Sequence, residues 1–231
     1  MHRRNQPHRH DEAEPVTQGR TIRWASHYDL VVKLLTLGKE SRFRNETIRQ
    51  AAIHEGEIVL DVGCGTGTLT LLAKAQTGDR GSAYGIDASP EMIVVARQKA
   101  HLHRKDVKFE IGVIEALEFP DKTFDIVLSS LMFHHLPADL KERGLKEMYR
   151  VLKPGGRLIV VDMVRPATLF QRLSIITLAH HELTTDVRDL MPIMENIGYR
   201  EVQANSMSWG VLGCIRGNRA SQIPLSERNS I

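Results

Sequence analysis

The middle of the chain alternates between short apolar runs and longer amphipathic segments. Five of the runs have the length of β-strands: EIVLDVG, SAYGID, VKFEIG, FDIVLSS and GRLIVVDM. The segments between them, such as TLTLLAKAQTG and SPEMIVVARQKAHLHR, place apolar residues at helical spacing. Strands that alternate with helices over such distances predict an α/β fold, with a parallel sheet covered by helices on both faces. The nearly continuous apolar character of DIVLSS is typical of a strand buried on both sides.

Helical patterns also flank this central region. Residues 21–56 predict a helical cover on the N-terminal side, and residues 164–198 predict a second helical cover after the fifth strand. The final segment, YREVQANSMSWGVLGCIRG, is typical of two short strands joined as a hairpin. No linker divides the body, so we expect one domain over residues 21–218, with a disordered polar tail at 1–20 and a loose tail at 219–231.

Composition and charge narrow the function classes. The 231-residue chain has a net charge of +3 with basic and acidic residues interspersed, which argues against a dedicated nucleic-acid surface. Its two cysteines form no disulfide framework and favour a reducing, cytoplasmic compartment. No apolar run has the length of a membrane span. The histidines of the N-terminal tail have no fixed geometry, so we expect no metal site. The sequence carries no pattern that sets an oligomeric state.

A glycine-rich turn, LDVGCGTGTL, follows the first predicted strand. Gly63, Gly65 and Gly67 would let the main chain turn sharply and approach a ligand at the carboxyl edge of the sheet. The dinucleotide-binding fingerprint requires glycine at its sixth position, where this chain has Thr68, so the pattern disfavours NAD or FAD. Asp87, at the end of the second predicted strand, is placed to accept hydrogen bonds from both hydroxyls of a ribose.

Two further residues at this turn each have two interpretations. Asp61 either fixes the turn by accepting main-chain N–H groups or holds a cationic amine of the ligand, and the two roles can coexist. Cys64 could be a thiol nucleophile, but no histidine lies at a readable distance from it in the sequence. We interpret Cys64 as a small residue within the turn that lines the ligand.

Four ordered motifs carry a family resemblance: VLDVGCGTGTLT, YGIDASPEMI, FDIVLSSLMFHHL and EMYRVLKPGGRLIVVD. Together they resemble a class I S-adenosylmethionine-dependent methyltransferase of the ubiquinone/menaquinone C-methyltransferase-like (methyltransferase type 11) group. The resemblance runs from about Glu57 to Asp162. It implies a Rossmann-like seven-stranded, mostly parallel sheet with an antiparallel last strand, and S-adenosyl-L-methionine as the cofactor. It does not specify the acceptor, because the group methylates quinones, lipids, sterols and other small metabolites.

The resemblance also implies roles for individual residues. The turn would contact the methionine and ribose portions of the cofactor, while Ala88 and Met92 would flank the adenine. The acidic residue that often binds the adenine amine in this family is replaced here by Val113, so that contact is expected from the main chain of Val113 or Ile114, or from Glu115. The implied cofactor-binding residues are Asp61, Gly63, Cys64, Gly65, Gly67, Asp87, Ala88, Met92, Val113, Ile114 and Ser129.

The loop that leaves the fourth predicted strand, LMFHHLP, faces the methyl group in this family. His134 and His135 are therefore our candidates for a general base, which is required only if the acceptor starts protonated. Consecutive side chains seldom face the same site, and either histidine could instead pack at the sheet edge or cap the next helix. Tyr28, Met132 and His134 are predicted to line the acceptor pocket.

These observations favour an enzyme that transfers a methyl group to a small, moderately hydrophobic acceptor at carbon, oxygen or nitrogen. A second hypothesis is a phospholipid or quinone methyltransferase in peripheral contact with a membrane, using the apolar stripe and arginines of residues 164–198. A third hypothesis is a non-catalytic domain that binds the cofactor and serves as an interaction partner, which the presence of both Asp61 and Asp87 disfavours. An NAD-dependent oxidoreductase is disfavoured by Thr68.

Overall fold

The computed structural model describes residues 40–165, 186–207 and 212–221. Several sequence predictions lie outside these residues. They are Tyr28, the tail at 1–20, residues 222–231 of the tail predicted at 219–231, the first part of the N-terminal cover, and the helical stretch predicted within residues 166–185. Everything below concerns the described ranges.

The strands and helices follow the alternation that the sequence predicts. The strands are β1 (Ile58–Val62), β2 (Ser82–Asp87), β3 (Lys108–Ile111), β4 (Phe124–Ser130), β5 (Leu152–Met163), β6 (Tyr199–Ser206) and β7 (Leu212–Arg219). The α-helices are α1 (Glu40–Ala51), α2 (Thr68–Thr77), α3 (Pro90–Leu102), α4 (Ala138–Val151) and α5 (Met191–Ile197). Two short 3₁₀ helices span Phe133–His135 and Val187–Leu190.

The seven strands form one sheet in the order β3-β2-β1-β4-β5-β7-β6. Strands β1 to β5 pair in parallel, and β7 is inserted antiparallel between β5 and β6. The predicted seven-stranded, mostly parallel sheet with an antiparallel last strand is confirmed. The strand order reverses between β1 and β4, and ligands of open α/β sheets bind at the carboxyl ends of strands beside such a point.

Alternate residues of the central strands pack into apolar clusters on opposite faces of the sheet. Leu60 of β1 and Val160 of β5 belong to a cluster completed by α4 and α5, whereas Val59 and Ile159 belong to one completed by α1 and α2. This alternation follows from the two-residue repeat of a strand. Because both faces are covered by helices, these strands read as continuous apolar runs in the sequence.

The start of α3 fixes the end of β2 at the carboxyl edge. The Ser89 hydroxyl accepts the main-chain N–H of Met92, and Pro90 occupies the first helical position. A serine cap followed by proline satisfies N–H groups that a helix start leaves unpaired. The chain therefore turns immediately after Asp87, which leaves this carboxylate at the edge of the sheet.

Two negative observations apply to residues 40–165, 186–207 and 212–221. In these ranges, no helix combines the length and apolarity needed to cross a bilayer. No group of three or more His, Cys, Asp or Glu side chains there has the geometry to hold a metal ion.

Arg157 of β5 fastens the end of α1 to the sheet. Its guanidinium donates to the Ala51 and Ala52 carbonyl oxygens at 2.7 Å each and to both carboxylate oxygens of Glu57 at 2.8 Å. The side chain is almost fully buried. Because α1 also carries Arg44, this anchor determines where Arg44 lies relative to the carboxyl edge of β1.

We predict that Arg157→Lys destabilises the fold by about 2 kcal/mol, because an ammonium cannot reproduce the planar guanidinium's bonds to a carboxylate and two carbonyls. Denaturant unfolding monitored by circular dichroism measures the change. Arg80→Lys is the matched control, since Arg80 pairs with Glu55 at the surface with 77% of its side chain exposed. Equal free energies of unfolding for the two variants would contradict the anchoring role.

Candidate active site

The turn between β1 and α2 has three residues in the left-handed region. Gly63, Gly65 and Gly67 have φ values of +74°, +54° and +77°. This region is costly for residues that carry a Cβ, so glycine is the residue that fits all three positions. The main-chain N–H groups of Gly63 and Cys64 both donate to the Ile86 carbonyl at 2.9 Å, which ties the turn to the end of β2.

The three glycines face different surroundings. A Cβ on Gly63 would lie 2.6 Å from Met132 Cγ, and one on Gly67 would lie 2.5 Å from Phe109 Cζ and 2.9 Å from Ala96 Cβ. A Cβ on Gly65 would meet no atom within 4 Å among the described residues. Gly63 and Gly67 are thus needed for close packing within the protein. Gly65 alone of the three presents bare main chain to open space, where a ligand can approach.

Asp87 joins this bare main chain to the end of β2. Its Oδ2 accepts the Gly65 N–H at 2.8 Å, and its Oδ1 accepts the Ser89 N–H at 2.9 Å. Burial raises the pKa of the Asp87 carboxyl, and the two N–H bonds oppose that rise. Each carboxylate oxygen can accept a further bond, so Asp87 can also receive the hydroxyls of a ribose beside Gly65.

The neighbours of Asp87 have different exposures. Ala88 is partly exposed next to the carboxylate, whereas the Met92 side chain is almost fully buried in the first turn of α3. Ala88 is therefore the more accessible of the two predicted adenine contacts.

Asp61 is buried at the end of β1 with one oxygen in use. Its Oδ2 accepts the Thr70 hydroxyl at 2.7 Å, while its Oδ1 has no hydrogen-bond partner among the described residues. Burial raises the pKa of the Asp61 carboxyl to about 6; Thr70 and the positive charge of Arg44 counter the rise, and the charge of Asp87 adds to it. Among the described residues, the hydrogen bonds that Asp61 accepts come from Thr70 in α2.

A small cavity of about 30 Å³ over Asp61 is lined by Gly65, Arg44, Ser130 and Leu131, among other described residues. This volume admits a group of the size of a water molecule or an ammonium. An unpartnered buried carboxylate oxygen is costly unless a donor binds it. A cationic amine is such a donor, so the site has the chemistry that the second interpretation of Asp61 requires.

The exit of β4 lies against this cavity. Ser129 is fully buried, and its hydroxyl oxygen also has no hydrogen-bond partner among the described residues. Leu131 has a φ of +56°, which is uncommon for a branched side chain, and its N–H donates to the Val161 carbonyl at 2.8 Å. Non-glycine residues held in this conformation concentrate at functional sites. The bend at Leu131 separates the chain that lines the small cavity from the histidines that follow.

The predicted adenine side is a tight turn after β3. The Ala116 N–H donates to the Val113 carbonyl at 3.3 Å. The Ile114 side chain is buried against α4, where a Cβ on Gly144 would lie 2.4 Å from its Cδ1. Only the main chain of Ile114 therefore remains for contact with a ligand.

The Cys64 side chain is buried, and the residue also borders the small cavity over Asp61. It packs with Ile93, Ala96 and Phe109, and a Cβ on Gly85 would lie 3.0 Å from its sulfur. Burial, followed by the charges of Asp87 and Asp61, raises the pKa of this thiol well above its ordinary value. Such a thiol is a poor nucleophile, which agrees with its interpretation as a small packing residue of the turn.

The two histidines after β4 have different environments. His134 Nδ1 lies 2.6 Å from Asp162 Oδ1, and the two side chains are only 7% and 3% exposed. The His135 ring packs on the His134 ring, with their centroids 3.8 Å apart. His134 and Asp162 line a cavity of about 190 Å³ together with Phe133, Val187 and Leu190, among other described residues. Of these two histidines, His134 is therefore the one that lines this cavity.

Along the chain, Met132 lies between Leu131, which lines the small cavity, and Phe133, which lines the larger one. Its side chain packs against Gly63 and the apolar cluster of α4, rather than along the cavity beside His134. The third residue predicted for the acceptor pocket, Tyr28, lies outside the described residues.

Sequence reasoning missed Asp162, Arg44 and Thr70. Asp162 had a readable signal, since it is the only carboxylate in the apolar run of β5 and stands near the carboxyl end of that strand. Arg44 and Thr70 reach Asp61 from separate helices. The helical pattern of the sequence gives no indication of that meeting.

The chain is similar in sequence to known methyltransferases. A family model described as a methyltransferase domain matches residues 59–156, which span β1 to the early part of β5. The demethylmenaquinone methyltransferase of Symbiobacterium thermophilum is 34% identical over 169 residues, which are 72% of this chain and 66% of that protein. The chain spans between 57% and 66% of the lengths of eight of its curated relatives.

Solved structures share the fold at low sequence identity. A SAM-dependent methyltransferase from Aquifex aeolicus has a TM-score of 0.66 at 24% identity, covering 81% of this chain and 97% of that one. Phosphoethanolamine N-methyltransferase 2 of Haemonchus contortus, solved with S-adenosyl-L-methionine, has a TM-score of 0.64 at 14% identity, covering 80% and 53%. At these identities the likeness shows the fold.

We predict that Gly65→Ala weakens binding of S-adenosyl-L-homocysteine, the demethylated form of the cofactor, by about tenfold or more. The reason is that the new methyl group stands where the ligand approaches the main chain. The free energy of unfolding should fall by only about 1 kcal/mol, which is the strain of an alanine in the left-handed region. Titration calorimetry and denaturant unfolding measure the two effects.

Gly67→Ala is the matched comparison. Its methyl group would collide with Phe109 and Ala96, so we expect a loss of about 3 kcal/mol in stability from strain and overpacking. Unchanged affinity in folded Gly65→Ala protein would contradict the assignment of the turn.

We predict that Asp61→Asn stabilises the protein by about 1–3 kcal/mol above pH 6 while it weakens cofactor binding. The pKa of Asp61 rises from 3.8 in the unfolded chain to about 6 in the folded protein. The folded wild type therefore holds more protons than the unfolded chain between these values and loses stability as the pH rises through them. The Asp61→Asn variant should not lose stability in this way. Its advantage in free energy of unfolding over the wild type should therefore vanish below about pH 4. Thermal unfolding against pH measures it, with exposed Asp79→Asn as the control.

Proposed function

Because the chain belongs to the class I S-adenosylmethionine-dependent methyltransferases, we propose that it transfers a methyl group to a small, moderately hydrophobic acceptor. The observation that carries the proposal is the bare main chain at Gly65, set between the Asp87 carboxylate and the unpartnered oxygen of Asp61. An adenosyl amino acid needs one group that accepts hydrogen bonds from its ribose hydroxyls and another that accepts its ammonium, on either side of a main chain that it can approach closely. Asp87 supplies the first group and Asp61 the second.

In this proposal Asp87, Gly65 and Asp61 each contact a different portion of the cofactor. Asp87 accepts the ribose hydroxyls, Gly65 permits the close approach, and Asp61 accepts the ammonium of the methionine portion. The main chain at Val113 and Ile114 is available to the adenine. When bound, S-adenosyl-L-methionine supplies a methyl carbon on a sulfonium, which leaves as a neutral thioether.

The demands on the protein are then modest. No anion develops on the leaving sulfur, so the protein contributes chiefly by holding the acceptor close and aligned and by excluding water. A proton acceptor is needed only when the acceptor atom carries a proton at the start. His134 is the candidate for that role, because its imidazole lines the larger cavity and follows directly on the segment that lines the smaller one.

For the acceptor class, we propose a quinone-like ring, either free or carried on a lipid. Support comes from the 34% identical relative, whose name states that it methylates demethylmenaquinone. The cavity beside His134 is consistent with one ring, since a cavity of about 150 Å³ suffices to bind benzene. A phospholipid amine acceptor and a non-catalytic cofactor-binding role are the competing proposals.

A transfer assay with S-adenosyl-L-methionine labelled at the methyl group tests the proposal. We expect label in reduced naphthoquinone or benzoquinone rings that retain a free ring position, and none in phosphatidylethanolamine vesicles. Label in the phospholipid alone would replace the quinone proposal, and cofactor binding without transfer to any acceptor would favour the non-catalytic role.

The Asp87→Asn variant addresses the cofactor site in the same assay. We predict a loss of about 1–3 kcal/mol in affinity for S-adenosyl-L-homocysteine, the scale of hydrogen bonds to a charged group. Exposed Asp79→Asn should bind as the wild type does. Equal affinity in both variants would place the ribose elsewhere.

A further inference from the structure

Asp162 holds the His134 imidazole in a fixed orientation. Besides the 2.6 Å contact between His134 Nδ1 and Asp162 Oδ1, the His134 main-chain N–H donates to Oδ2 at 3.3 Å, and the Met163 N–H donates to Oδ1 at 2.7 Å. The carboxylate thus grips both the ring and the main chain of the same residue. Both side chains are buried, so water does not compete strongly for these contacts.

The hydrogen-bond pattern determines which ring nitrogen carries the proton. An ionised carboxylate only accepts hydrogen bonds, and Asp162 already accepts two main-chain N–H groups. Its short contact with His134 Nδ1 then requires Nδ1 to donate. In a neutral imidazole with Nδ1 protonated, Nε2 is the nitrogen that can take up a proton.

His134 lies on a chain segment that borders both cavities, which places the His134–Asp162 pair beside the proposed reaction site. The chain leaving β4 lines the small cavity over Asp61 with Ser130 and Leu131, and two residues later it lines the larger cavity with Phe133 and His134. One short segment therefore borders both the cofactor side and the larger cavity. The other carboxylates of the larger cavity pair with arginines, Asp186 with Arg188 and Asp189 with Arg165.

We propose that Asp162 is a positioning residue that keeps His134 Nδ1 protonated, so that His134 Nε2 removes the proton of an acceptor bound in the larger cavity. The proposal rests on the proposed function above. It assigns the acceptor to molecules that must lose a proton during methylation. A molecule such as a thioether or a tertiary amine would have no use for the pair.

The step balances as follows from the acceptor's side. The acceptor's hydroxyl gives its proton to His134 Nε2, and the electrons released form the new bond to the methyl carbon, either from that oxygen or, through the ring, from a ring carbon. A methylated ring carbon then loses its own proton to solvent while the oxygen regains one, so the net loss is one proton. The bond between sulfur and the methyl carbon breaks, and its electron pair stays on the sulfur. His134, now doubly protonated and stabilised by the charge of Asp162, returns its proton to solvent.

The first test reads the tautomer directly. In full-length protein labelled with ¹⁵N-histidine, we expect His134 to show a protonated Nδ1 and an unprotonated Nε2, with its signals assigned by their loss in His134→Gln. A protonated Nε2 in the wild type would overturn the proposal. This measurement needs neither turnover nor a variant of Asp162, so it stands if the proposed function fails or if Asp162→Ala does not fold.

The second test uses Asp162→Ala, which removes the oxygen that accepts from Nδ1. We expect the fraction of His134 with a protonated Nδ1 to fall, and kcat with S-adenosyl-L-methionine and 1,4-naphthoquinol to fall by about 10²- to 10⁴-fold, the usual contribution of a general base, while KM changes little. Asp121→Ala, at an exposed pair with Arg150, is the control and should change neither readout. An unchanged tautomer, or a changed tautomer with full turnover, would overturn the proposal. Absence of turnover in the wild type would count against the proposed acceptor and leave the tautomer result to decide this one.

Discussion

The hydrogen bond from the Gly65 N–H to Asp87 is the interaction on which the site depends. It connects a left-handed bend after β1 to the last residue of β2, two strands that are neighbours in the parallel sheet. Gly63 and Gly67 allow Met132 and Phe109 to pack against the same bend from the inside. The bend is therefore held in place by packing, and its open position at Gly65 is where we propose that the ligand binds.

This arrangement gathers buried negative charge at the carboxyl edge of β1 and β2. Asp61 and Asp87 repel one another, and burial makes the charged form of Asp61 costly. A protein selected for stability alone would favour an amide or a hydroxyl at position 61. The acidic residue is understandable if a ligand ammonium neutralises it, because stability given up in the empty protein then returns as binding energy.

The fold could be predicted from the sequence because the spacing of apolar residues and the positions of the turn and capping residues agreed along the central region. Apolar runs, the Ser89–Pro90 helix start and the glycine turn all placed their elements correctly. The site was predicted less completely. Residues of the turn adjoin in sequence, so spacing revealed them, but the individual tasks of Gly63, Gly65 and Gly67 depend on side chains from α3, β3 and the β4 exit. Asp162 meets His134 across 28 residues of chain, and no local pattern encodes that contact.

A crystal structure with S-adenosyl-L-homocysteine tests the central claim most directly. The account predicts that the ribose hydroxyls lie within hydrogen-bond distance of the Asp87 carboxylate, with the ligand against the main chain of Gly65 and its ammonium near Asp61 Oδ1. Ligand bound at any other edge of the sheet, or a bend left empty at saturating concentration, would contradict it.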